Sequence, residues 1–369
     1  MTKISGAGKT CPHCGGPAKN SCGIGLNILI SALILGAGFF FWTSDRNRPA
    51  GAFGGAAAPA MPQAVPASSR LSGGVINYIV SQEADKACGV CLASADSFLE
   101  GKKLAVIREK TKDMILLPAG EYQTGSPDSL GDPDEHPRRQ IFLDAFYLEK
   151  YEVTTADYLK FAKDTGDNYP EWAKPNGKFN IDTGSEPYYK HLSTILKTCG
   201  TCPVVGVTPK NADAYCQSKN RRLPTEAEWE AAARGGADSA FSFGDNPAMA
   251  GDYAWYETNS GERPQPVGGK RPNQYGLYDL HGNVWEWTSD LYAPDYYNKS
   301  PKHDPKGPTT GKDHVIRGGS WAFDADSLRS ANRANTYKAN DDIGFRCAVS
   351  KSALSADAAS PEAVDIVRD

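Results

Sequence analysis

The sequence predicts an α+β domain with an unusual share of ordered loop, and three observations predict it. A few short helices carry their own start signals. Strand-like stretches such as "MILLPAGEYQTGS" and "RRQIFLDAFYLEKYEVT" alternate with them from about Met114 onward. The intervening chain is rich in Gly, Pro, Asn and aromatic residues, which favour turns and short strands over long regular elements. At 369 residues, 40% apolar and 10% aromatic, the chain can bury a sizeable core in one large domain or two ordinary ones. Its net charge of −4 comes from interspersed signs with no long basic run, which argues against a nucleic-acid partner.

Residues 1–22 form a polar tail carrying "CPHCGG". Cys11 and Cys14, with Cys22 nearby, look like half of a zinc ribbon. Structural zinc usually takes four ligands, so Zn2+ here would need His13, another chain or a partner. Free reduced thiols are the equal alternative.

Residues 23–42, "GIGLNILISALILGAGFFFW", carry no charge, and twenty residues of helix span about 30 Å, the thickness of a bilayer core. A cleaved signal peptide is the competing reading, because "GAAAPA" downstream offers small-residue cleavage sites. The apolar run is longer than the roughly 7–15 residues of a signal core, so an uncleaved transmembrane helix is favoured. Lys3, Lys9 and Lys19 precede it without an acid, whereas Arg46 and Arg48 follow beside Asp45. That bias keeps the N-terminus in the cytoplasm. The expectation is a single-pass protein of the bacterial inner membrane with its main domain in the oxidising periplasm.

Residues 43–70 are an Ala/Pro/Gly-rich linker. Residues 71–110 suit one or two short helices and contain Cys88 and Cys91. Residues 111–350 form the main domain, and 351–369 read as a flexible tail. Within the domain, Thr154 or Thr155 can cap "ADYLKFAKD", and Thr208 before Pro209 suits the start of "KNADAYCQSK". In "RRLPTEAEWEAAARGG", Thr225 and Glu228 make a capping box and Gly235 supplies a left-handed stop.

Five ordered stretches then act together: "RRLPTEAEWEAAARGG", "NQYGLYDLHGNVWEWTSD", "VIRGGSW", "RSANR" and "DDIGFRCA". Together they resemble the formylglycine-generating enzyme, or sulfatase-modifying factor, domain family over about residues 114–349. The resemblance implies a loop-rich fold related to C-type lectins. Oxidase members hold copper(I) on two cysteines just after a Gly-Gly-Ser turn. Here that turn is Gly318, Gly319 and Ser320, and Phe323 stands where the first catalytic cysteine would be. No cysteine lies between Ser320 and Arg346. Copper(I) selects thiolate or thioether ligands, so no catalytic residue is assigned and copper is not expected.

By the same resemblance, Cys216 and Cys347 form a disulfide, while the family's second pair would fall at Ala233 and Ser330. The resemblance also implies structural Ca2+ on the side chains of Asp279 and Glu286 with the carbonyls of Gly282 and Val284. A turn held by Asp and Asn hydrogen bonds is the alternative there, and His281 is read as a surface residue. Cys88, Cys91, Cys199 and Cys202 are expected as disulfides, with a redox or metal site as the sharper alternative.

"RGGSW" is not a nucleophile elbow, and the six histidines stand in no triad spacing. The candidate ligand-binding set is Arg317, Ser320, Trp321, Phe323, Asp324, Arg329 and Arg333. Its arginines, with Arg346, could instead pair structurally with Asp324, Asp326 or Asp341. The expected partner is a protein or peptide, including a membrane complex; an oxidative maturation enzyme is the alternative.

Overall fold

The computed structural model describes residues 95–357. The elements run α1 (Ala95–Lys110), β1 (Met114–Leu117), β2 (Gly120–Thr124), β3 (Arg139–Leu143), β4 (Phe146–Glu149), α2 (Thr155–Thr165), α3 (Ser193–Thr198) and α4 (Pro209–Ser218). They continue α5 (Glu226–Arg234), α6 (Ala250–Tyr253), β5 (Trp285–Leu291), α7 (Tyr296–Lys299), β6 (His314–Arg317), β7 (Arg333–Thr336), β8 (Ile343–Gly344), β9 (Ala348–Ser350) and α8 (Lys351–Asp357). Long loops separate them, as the composition predicts.

Three small sheets organise the domain: β1-β4-β9, β2-β3 and β7-β6-β5-β8. Pairing is antiparallel except between β5 and β8. The helix starts follow the local signals. Thr154, Thr208 and Thr225 each accept a backbone N–H, and Thr225 completes its box with Glu228. Gly166 and Gly235 stop α2 and α5 in the left-handed conformation.

One core cluster joins Tyr158, Phe161, Tyr215, Trp285, Trp287 and Phe345 around the Cys216–Cys347 disulfide. That bond closes a separation of 131 residues, which in a chain-entropy view stabilises the fold by about 4–5 kcal/mol. A second cluster packs Leu117, Leu148 and Leu280 around Trp229 of α5. Every residue of α5 is buried, including Glu226, Glu228, Glu230 and Arg234. Such a helix is stable only where its charges are paired. Cys199 and Cys202 form the second disulfide among the described residues.

Residues 351–357 correct the flexible-tail expectation. They form α8, and its Leu354 packs with Ile107 of α1 against Met114, Tyr147 and Val349. No helix among the described residues is long and apolar enough to cross a membrane. The apolar run 23–42 and Cys11, Cys14, Cys22, Cys88 and Cys91 lie outside the described residues.

Candidate functional site

Strand β6 delivers the chain into a turn that only small residues permit. Gly318 and Gly319 have φ of 101° and 75°. A Cβ on Gly319 would sit 2.6 Å from Leu328 Cδ2, and one on Gly318 would press on the Trp229 ring. Ser320 is buried and donates to Asp342 at 3.0 Å. Burial pushes the Asp342 carboxyl up to about 6.

Beyond this turn the expected ligand-binding set divides. The arginines point into the domain. Arg317 is 0% exposed and donates to Glu230 at 2.6 Å and to the carbonyls of Ser330 and Ala331. Arg333 grips Glu226 through two bonds of 2.6 and 2.9 Å, and its guanidinium lies over Tyr297. Arg329 grips Glu135 at 2.7 and 2.9 Å and also reaches Asp326. Arg346 grips Glu286 at 2.8 and 2.7 Å. Burial alone would raise the Glu230 carboxyl, yet Arg234 and Arg317 hold it below its ordinary value.

The expected partners are therefore corrected. Glutamates from distant elements take most of these guanidinium groups, and of the three expected acids only Asp326 pairs with one. Asp324 instead accepts from Ser327, and Asp341 pairs with His191 at 3.0 Å. Guanidinium groups enclosed in this way are not available to a ligand.

Phe323 faces the other way, and Trp321 stands between the interior, where it packs with Trp172, Tyr189 and Leu192, and the surface. Phe323 is 41% exposed, with its ring edge-on to Trp285. Trp321 lines a groove of about 820 Å³ together with His191, Thr194, Ile195, Glu257, Glu262 and Arg263. The Trp321 backbone is fixed: its N–H donates to Asn283 and its carbonyl accepts from Ser260. The residue is 8% exposed overall, and the buried Nε1–H has no hydrogen-bond partner.

The turn expected to hold calcium lies beneath. Asp279 (φ 58°) is buried, and its Oδ2 accepts from Gly268 at 2.6 Å while Oδ1 has no partner. Burial raises its carboxyl to about 6. Glu286 is already engaged by Arg346 and by Trp229 Nε1 at 2.9 Å. Gly282 N–H donates to Gly318, and Val284 N–H donates to Glu152 at 3.2 Å. Glu152 is a third buried acid, raised by its burial and by the charges of Asp279 and Glu286. An acid-rich site with an orphaned carboxylate oxygen fits a hard cation on Asp279. Glu286 fits less well, since a guanidinium already neutralises it.

His281 is not on the surface. It is 3% exposed and bonds Ser242 and the Leu328 carbonyl, and burial lowers its imidazole to about 4. Ala233 and Ser330, where the second disulfide would fall, are both fully buried. Reasoning from sequence missed Glu135, Glu152, Glu226 and Glu230, whose arginine or amide partners, Arg234 apart, lie far away along the chain. The glutamate-rich, lysine-free "EAEWEAAAR" was the one local hint.

These features define a loop-rich α+β scaffold with a closed ionic interior and an open groove of mixed polarity beside a Gly-Gly-Ser turn. The chain belongs to the sulfatase-modifying factor enzyme 1-like domain family, which matches residues 102–351. It is 34% identical to the formylglycine-generating enzyme of Mus musculus, over 64% of this chain and 74% of that one. It is also 34% identical to the serine/threonine-protein kinase pkn1 of Chlamydia caviae, but spans only 38% of that relative's length. Among solved structures, Treponema denticola variable protein 1 superposes with a TM-score of 0.51 at 30% identity, over 64% of this chain and 94% of that one.

Proposed function

We propose that this domain is a binding or assembly module that receives a peptide segment in the Trp321 groove and does not run the copper oxidase reaction. The observation that supports this reading is the open groove of about 820 Å³ beside the Gly-Gly-Ser turn, where Trp321 and Ala322 meet Glu257, Glu262 and Arg263. The loop from Ser320 to Arg346 supplies no sulfur for copper(I), and Phe323 stands at the corresponding place.

Peptide arrays with and without cysteine, probed with the purified protein, test this. Selective retention that is lost in Trp321→Phe supports it. Stoichiometric copper uptake with conversion of a cysteine peptide overturns it. The similarity to enzymes named formylglycine-generating supports a second reading, an oxidative maturation enzyme acting on another substrate. Oxygen consumption with such a substrate would be its signature.

The proposed setting is the periplasmic face of the inner membrane, held by residues 23–42, alone or within a membrane complex. The two disulfides suit an oxidising compartment. Labelling of the domain by membrane-impermeant reagents in intact cells checks this placement. A structural Ca2+ on Asp279 belongs to the same proposal, with the Gly282 and Val284 carbonyls and Glu286 as the further ligands the family resemblance implies. Chelation should then lower the melting temperature, and added Ca2+ should restore it.

A further inference from the structure

Away from the groove, the turn between β3 and β4 meets a distant loop. Residues 302–304 run beside β3: Phe142 N–H donates to Lys302 at 2.7 Å, and Asp304 N–H donates to Phe142 at 2.9 Å. Asp144 N–H donates to Asp304 Oδ1 at 2.9 Å, which fixes that carboxylate. The His303 ring stacks on Phe142 at 5.0 Å and 17°. Each ring nitrogen therefore faces an acid: Nδ1 lies 3.2 Å from Asp304 Oδ2, and Nε2 lies 3.6 Å from Asp144 Oδ1.

A neutral imidazole has one N–H and one lone pair. If Nδ1–H serves Asp304, the Nε2 lone pair points at a carboxylate oxygen. Their 3.6 Å separation is too long for a hydrogen bond. It is close to the roughly 3.4 Å between two ligands on one tetrahedral metal with bonds of about 2.0–2.1 Å. One donor atom from each of Asp144, His303 and Asp304 lies within 4.8 Å of the others. A hollow of about 370 Å³ opens beside Asp144 and Asp304, with room for water ligands.

We propose that Asp144 and His303 bind a divalent transition metal of the zinc class at this surface. Asp144 and His303 Nε2 are the direct ligands, and water completes the shell. Asp304 takes the Nδ1 proton and orients the ring, the carboxylate–histidine–metal arrangement that fixes both tautomer and direction. The imidazole selects against calcium, which prefers oxygen ligands. Arg222 and Lys306 line the same hollow, and Arg222 is gripped by Glu228 through two bonds of 2.6 Å.

The test is titration of the full chain, purified in detergent, with Co2+ and then Zn2+, in wild type, His303→Gln, Asp144→Asn and Asp304→Asn. Cobalt on thiolates shows intense near-ultraviolet bands, so any metal on Cys11, Cys14 and Cys22 is counted separately. The wild type should bind one equivalent more than His303→Gln or Asp144→Asn, and that equivalent should lack thiolate bands. Asp304→Asn should bind it about ten- to a hundredfold more weakly. The side chains of His303 and Asp144 are 60% and 70% exposed, so metal-free melting should be the same in wild type, His303→Gln and Asp144→Asn. Should His303→Gln melt early, Asp144→Asn decides. Equal stoichiometry in wild type and Asp144→Asn overturns the proposal.

Discussion

Arg317 and Trp321 flank one glycine turn, yet they meet opposite surroundings. On the Arg317 side each guanidinium and carboxylate is matched to another: Arg317 to Glu230, Arg333 to Glu226, Arg329 to Glu135. On the Trp321 side the chain lines an open groove, and Phe323 is 41% exposed. Charge in this stretch therefore holds the frame, and the aromatic residues are what the frame presents. A charged loop is not in itself a binding loop, because desolvated ions are retained only where partners satisfy them.

The sharpest way to break the comparison is Glu230→Ala, which strands Arg317 and Arg234 without their shared acid. Unpairing a buried ion of this kind costs about 3–5 kcal/mol, and urea unfolding should show that loss. Removing the bridge between α4 and the segment before β9, with Cys216→Ala and Cys347→Ala together, should lower stability by about 2–5 kcal/mol in the same measurement.

A pH series probes the closed side differently. Asp290 accepts from the Glu226 N–H at the start of α5, and burial, aided by the Glu226 charge, raises its carboxyl to about 8. A raised acid contributes stability that is full below its unfolded value, near 4, and is lost as pH climbs through 8. Asp290→Asn should therefore gain on the wild type as pH rises from 5 to 8, by on the order of 3–4 kcal/mol. Thermal melts across that range check the sign. The smallest stability effect belongs to the open side. Trp321→Phe should stay within about 1 kcal/mol of wild type while losing retention on peptide arrays. A large loss of stability instead would place Trp321 with the frame.

Much of the helical framework was legible because its signals are local. Thr154, Thr208 and the Thr225–Glu228 box act on backbone groups within three residues. The ionic interior was not legible, because Arg329 and Glu135 stand 194 residues apart. No periodicity announces such a pair. His281 was misplaced for the same reason: its buried partners, Ser242 and Leu328, are remote. Of the groove, Trp321 could be picked out beside the glycine turn. His191, Glu257 and Glu262 could not, since they arrive on irregular loops that only the completed fold brings together. The tail was misread because Leu354 is a single apolar residue whose pocket is built by α1, β1 and β4.

The order β1-β4-β9 has a mechanical consequence. The chain enters at Met114, opposite Glu149, and leaves at Ser350, opposite Phe146, so entry and exit lie at opposite ends of β4. Tension applied through the two flanks would first peel α1 and α8 apart. It would then load both ladders along their length, so that their rungs strain together and do not open one after another. A domain pulled from either side would yield its outer helices early and its sheet late.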